Sequence, residues 1–406
     1  MSFLCPIRQR PSWRKLVTPK PLTSKPIHNW FYFPHSFTDD LVRVLLRDWG
    51  IGTGDRVLDP FVGAGTTLLA ARSVGVDAEG VDLSPLAVLV SNVKVRRYER
   101  PSVVRDWMRV VERVRVNPEG DSGSAPEFLG RALPGRILPR FLGIKAAIEG
   151  SELSTSHREL FLLALLASVR HFSRAVPSGG WVSWVDKSVN SSSVLSHIAG
   201  RVAVMLSDMG EAGRGKQQAR IADARALPFR DGSFAAVITS PPYLNRHDYT
   251  RVFAPELMLG FMDWSELREL RHQSFQSHPE SRPSRASTVS YSEPASLLRA
   301  IARVGEVSND RRIVPMVEGY FRDLFLALQE IYRVSKSGAH VAIVIGNVQY
   351  FGVPILVDEL TAEIGEQVGL QCDGILAARY RGNSAQQMSK YGRRPARESV
   401  VTLRKP

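Results

Sequence analysis

Residues 56–67 read RVLDPFVGAGTT, and this stretch decides the fold. Val57 and Leu58 supply a buried apolar strand, and Asp59 and Pro60 end it. Gly63 and Gly65 leave room for a ligand to lie against bare backbone. Thr66 and Thr67 then open a helix over 68–73. About 20 residues beyond the turn a second strand, AEGVDLS over 78–84, carries Asp82 at its tip, where a carboxylate can take both hydroxyls of a ribose. The strand, glycine turn, helix and acidic strand tip together imply a nucleoside-bearing cofactor on an α/β sheet.

A dinucleotide site needs G-x-G-x-x-G, closing its turn on a pyrophosphate; here the pattern is Phe61-x-Gly63-x-Gly65, with no third glycine in place. A second decisive stretch lies at 234–243, FAAVITSPPY. Phe234–Thr239 is a short apolar run of the buried parallel kind, and it empties into Ser240-Pro241-Pro242-Tyr243. Ligands in an open parallel sheet bind beyond the carboxyl ends of the strands, so the tetrapeptide faces the cofactor turn.

The two stretches together resemble motif I and the catalytic tetrapeptide of the S-adenosylmethionine-dependent DNA amino-methyltransferases. The resemblance covers roughly 28–100 and 219–406. It implies a Rossmann-like α/β methyltransferase sheet, mostly parallel with a terminal antiparallel strand, interrupted by helical and irregular insertions. It implies S-adenosylmethionine as cofactor, held by Asp59, Pro60, Phe61, Gly63, Gly65, Thr66, Asp82, Leu83 and Asp223. In the family Asp59 lies near the methionine end, Asp82 holds the ribose, and Asp223 accepts from the adenine amino group. Ser240, Pro241, Pro242 and Tyr243 become the catalytic residues, and no metal is required. An exocyclic amine on a base is a poor nucleophile because its lone pair is delocalised into the ring. Acceptors such as the Ser240 hydroxyl and the Pro241 carbonyl are needed to pull it toward tetrahedral geometry, while Tyr243 stacks on the flipped base.

Methylation at carbon 5 of cytosine uses a thiolate, and neither Cys5 nor Cys372 sits in a suitable loop. Ser-Pro-Pro-Tyr is similar to the cytosine-N4 group of the family, which makes N4 of cytosine the favoured target. Adenine N6 is the next alternative, then an RNA amine, then an inactive DNA-binding subunit. Many N4 enzymes carry the tetrapeptide before the cofactor motif, whereas here the cofactor motif comes first.

The 406 residues carry a formal net charge of +13, a field that attracts polyanions and points to double-stranded DNA as partner. A cognate restriction endonuclease and the oligomeric state stay open. No apolar run approaches the ~20 residues needed to span a bilayer, so no membrane partner is expected. Two cysteines make neither a disulfide framework nor a metal cluster, which fits a reducing cytoplasm.

Composition and the resemblance together divide the chain into a basic flexible arm (1–27), a cofactor-binding half (28–100), a mainly helical insertion (101–215), a catalytic part (216–262), an irregular insertion suited to target recognition (263–315) and the end of the sheet (316–406). Within 28–49 aromatic packing is the favoured role of His28 and Phe33, with cofactor contact the alternative, and Ser36 or Thr38 caps the next helix. Thr155 or Ser156 with Glu159 resembles a capping box. The loop-like 177–193 displays Trp181 and Trp184, which either pack or stack on bases. Arg246, Tyr249 and Arg251 are candidates for phosphate or base contact. A basic loop with Arg379, Arg381, Lys390, Arg393, Arg394 and Arg397 suggests phosphate contacts between the last two strands.

Overall fold

The computed structural model describes residues 5–178, 181–210, 213–283, 291–382, 392 and 395–406. Its centre is an eight-stranded sheet. In chain order the strands are β1 (Ile7–Gln9), β2 (Arg56–Asp59), β3 (Asp77–Asp82), β4 (Ala175–Ser178), β5 (Trp181–Trp184), β6 (Gln217–Ile221), β7 (Phe234–Thr239), β8 (Ser335–Gly346), β9 (Val348–Tyr350), β10 (Val353–Ile355), β11 (Gln371–Arg381) and β12 (Ala396–Arg404). The main sheet runs β1-β11-β12-β8-β7-β2-β3-β6, while β4-β5 and β9-β10 form separate two-stranded pairs. Strands β8, β7, β2, β3 and β6 are mutually parallel, and β12 is antiparallel to both β8 and β11. This is the expected Rossmann-like α/β sheet with its antiparallel end.

The helices are α1 (Asp39–Asp48), α2 (Thr66–Ser73), α3 (Pro85–Val95), α4 (Arg100–Val116), α5 (Glu127–Ala132), α6 (Ile137–Gly150), α7 (Thr155–Phe172), α8 (Val194–Asp208), α9 (Tyr249–Val252), α10 (Ala254–Gly260), α11 (Trp264–Gln273), α12 (Ala295–Val307), α13 (Ile313–Val334) and α14 (Val357–Gln367). Strand β2 sits between β3 and β7, with Leu58 opposite both Glu79 and Val237. The sheet winds outward in opposite directions from this point, so the turns leaving β2 and β7 open side by side. That switch point positions the site.

Helices α4–α8 form a second layer with its own core. Helix α7 is apolar on several faces, burying Leu160, Phe161, Leu163, Leu165 and Leu166 completely, because it is enclosed by α6, α8, α3 and α10. Its N-cap is Ser154, whose hydroxyl accepts from the His157 amide, one position before the expected Thr155 or Ser156. The same core continues through Leu257, Met258 and Leu259 of α10, which follows the tetrapeptide.

Four expectations are corrected. The basic arm is docked: β1 adds to the sheet edge beside β11, Val17 and Leu22 are buried, and Lys25 pairs with Asp39 and Asp40. Cys5 and Cys372 are joined in a disulfide, so Cys5 is no part of a mobile tail, and the reading from unpaired cysteines falls away. The segment around Trp184 is a hairpin, β4–β5, rather than a loop. Part of the stretch expected to be irregular, 263–315, is helical in α11 and α12, where Leu267, Leu297 and Val304 are buried.

Candidate active site

The turn after β2 is shaped by two glycines. Gly65 is left-handed, with φ +75°, and a Cβ there would lie 2.9 Å from Ser91 of α3. Gly63, also at positive φ, donates its N–H to Asp82 Oδ2 over 3.1 Å, and Ser84 N–H reaches Asp82 Oδ1 over 2.9 Å. A Cβ on Gly80 would meet Val62 at 2.4 Å, so the turn and the second strand touch backbone to side chain. In the last turn of α3, the buried Lys94 ammonium donates to the carbonyls of Ala64 and Phe31, each over 3.1 Å. Burial pulls this lysine down to about 7. It braces the turn from below, and no sequence pattern singled it out.

A cavity opens over this turn. Pro60, Phe61, Gly63, Asp82 and Leu83 line one end, Asp223 and Phe275 lie on its wall, and Ser240 and Pro242 belong to the same space. Burial pushes the Asp82 carboxyl up, against the amides of Ser84 and Gly63 that favour its anion. Apolar plates from Phe61, Leu83 and Phe275 beside a strand-tip carboxylate match a nucleoside with a ribose diol.

Several expected site residues stand elsewhere. Asp59 is buried and turned into the sheet, accepting from Thr67 Oγ1 at 2.6 Å, Thr239 Oγ1 at 2.7 Å and Phe61 N–H at 3.2 Å. It ties the cofactor turn to the residue before Ser240 instead of facing a ligand, and burial raises it to about 6. Thr66 is buried with its hydroxyl 3.3 Å from Ser36, and neither it nor Gly65 is on the cavity wall. Asp223 lines the cavity, but its carboxylate is clamped by Arg225, which continues to Asp323. Phe33 lines the cavity, whereas His28 lies 3.6 Å from Asp39.

Tyr243 is the main correction at the catalytic end. It is buried, its hydroxyl donates to Glu398 Oε1 over 3.0 Å, and the Arg381 guanidinium covers its ring at 5.4 Å. Neither Tyr243 nor Pro241 is on the cavity wall; the aromatic rings that are include Tyr249 and Phe253. Tyr243 instead anchors the tetrapeptide to β12. His35, which sequence reasoning passed over, also lines the cavity and packs edge-on against His247 at 4.3 Å. Its only sequence signal is its place after an aromatic run.

The expected phosphate contacts are spoken for or undescribed. Arg379 and Arg381 engage Glu398, and Arg397 engages Asp358 and Glu359. Arg251 stands between Asp248 and Glu280, and Arg246 lies 4.0 Å from Asp310. Lys390, Arg393 and Arg394 fall outside the described residues. Trp184 packs under Arg131 at 4.0 Å and against Phe128; the Trp181 side chain lies outside the described residues.

No family model matches the chain. The Type II methyltransferase M.BsoBI of Geobacillus stearothermophilus is 29% identical over 451 residues, spanning 97% of this chain and 88% of that protein. The Type II methyltransferase M.AvaI of Nostoc sp. (strain PCC 7120) is 27% identical, spanning 97% and 89%. Among solved structures, a SAM-dependent methyltransferase from Methanosarcina mazei covers 89% of this chain and 96% of its own at 9% identity and TM-score 0.34, a likeness too slight to add to the fold. Over nearly its whole length the chain is thus similar to Type II methyltransferases, at 27–29% identity. Among the described residues no helix is long and apolar enough to cross a membrane.

Proposed function

We propose that the chain methylates the N4 amino group of a cytosine turned out of duplex DNA, as the modifying half of a restriction-modification pair. The observation that carries this reading is the shared cavity: Ser240 leaves β7 onto the same space as Gly63 and Asp82, with Asp59 tying the two turns together. Bound there, S-adenosylmethionine supplies an electrophilic methyl group on its sulfonium. Asp82 would accept from the ribose, Phe61, Leu83 and Phe275 would enclose the adenine, and the Gly63 turn would admit the chain of the cofactor close to backbone.

The Ser240 hydroxyl accepts a hydrogen bond from the exocyclic amine and turns its lone pair out of the ring plane toward the methyl group. Pro241 and Pro242 hold that geometry by fixing the turn, and Tyr243 fixes it from behind through Glu398. The serine as first letter favours cytosine N4 over adenine N6. The test is transfer of label from the radiolabelled cofactor methyl to duplex DNA. Transfer that falls about 100-fold in Ser240→Ala, with cofactor affinity intact, supports the reading; no transfer by the parent protein to any duplex contradicts it.

A further inference from the structure

A methyl transfer to an amine leaves a proton to be disposed of, and serine cannot keep it. The amine nitrogen forms a bond to the methyl carbon while the carbon–sulfur bond breaks with its electron pair going to sulfur. Positive charge builds on the nitrogen as that bond forms, and loss of one N–H proton in the same step relieves it.

The titratable side chains on the cavity wall are His35, Asp82, Asp223, Arg225 and Tyr249. Asp82 is occupied by two backbone amides, Asp223 is clamped by Arg225, and burial drives the Tyr249 hydroxyl upward. His35 differs from all of them. Its Nδ1 is buried without a hydrogen-bond partner among the described residues. Its ring rests against His247 at 4.3 Å and Tyr249 at 6.0 Å, and the charges acting on it, Arg381 and Glu398, are those that hold Tyr243, which sets it beside the tetrapeptide. His247 likewise buries an unpartnered nitrogen, Nε2. The charged groups acting on His35 are Arg381 and Glu398, which oppose one another.

We propose that His35 is the proton acceptor for the target amine. This rests on the methyl-transfer reading above. The imidazole takes the N–H proton as the nitrogen–carbon bond forms, becomes imidazolium and returns the proton to solvent when the product leaves. Burial holds the free imidazole down at about 4, so it is neutral and ready to accept near pH 7. An amine nitrogen gaining positive charge as the methyl arrives becomes a far stronger acid than that and gives up its proton downhill.

The experiment uses the full chain, duplex DNA and S-adenosylmethionine. His35→Ala is expected to lower single-turnover methyl transfer by about 100-fold, with the calorimetric cofactor Kd and the fluorescence of 2-aminopurine at the target position within about twofold of the parent. Added imidazoles should restore the rate, the more basic ones faster. Transfer within about threefold of the parent overturns the proposal. So does an equal loss of cofactor affinity, or rescue that ignores the basicity of the added azole, since either marks a binding or packing role. If His35→Ala melts early, His35→Asn serves as the second variant: it keeps the shape of the Nδ1 edge without a basic nitrogen, and must stay as slow as His35→Ala. A parent protein that labels no DNA fails the methyl-transfer reading itself, whereas an active parent with an active His35→Ala fails only the proton acceptor.

Discussion

Two aspartates end neighbouring strands and do different work. Asp82 faces the cavity, and Asp82→Ala should cost about 2–4 kcal/mol of cofactor binding through lost charge-assisted hydrogen bonds; calorimetry giving an unchanged Kd would remove it from the site. Asp59 faces inward, and burial raises its carboxyl from 3.8 to about 6. A raised acid favours the folded state fully below the unfolded value, and that advantage is lost as pH rises through the folded value. Asp59→Asn cannot titrate, so its stability relative to the parent should rise between pH 4 and pH 7 by up to about 3 kcal/mol. Urea unfolding of both proteins across that range checks the sign, and parallel profiles would show that Asp59 does not titrate there. A sequence motif marks both aspartates alike, because it records residue type and spacing but not which way a strand-end side chain turns. The same limit applies to Tyr243: the tetrapeptide was legible, but its partner Glu398 lies 155 residues away.

The element that most constrains the site is the turn between β2 and α2. Gly65 there combines a left-handed backbone with contact against Ser91. Gly65→Ala should therefore destabilise the protein by about 1–3 kcal/mol and weaken cofactor binding in parallel, read by thermal unfolding and titration; a variant as stable as the parent would mean the turn can relax. This turn, the parallel strands and α13 were legible because apolar runs and glycines act locally. The hairpin β4–β5 and helices α11 and α12 were not, since polar, Ser- and Arg-rich segments fold there through a few buried side chains such as Leu267 and Val304. The docking of β1 was hidden for a related reason. Its three exposed residues carry no apolar pattern, and their place is set by pairing with β11.

At the scale of the molecule, a net charge of +13 should make DNA affinity steeply salt-dependent. With 6–10 phosphate contacts, binding to any duplex is expected to weaken by about 10³–10⁵ between 50 and 200 mM salt; a flat dependence in filter binding or fluorescence anisotropy would separate the charge from DNA recognition. The helical layer α4–α8 shares its core with α10, so the catalytic turn rests on both layers. The proposed reaction places a methyl group on an exocyclic amine beside Ser240. Digestion of duplex DNA treated with the protein and S-adenosylmethionine, followed by mass analysis of the nucleosides, examines that directly. N4-methylcytosine without 5-methylcytosine is the expected product; 5-methylcytosine, or no methylated nucleoside, would contradict it.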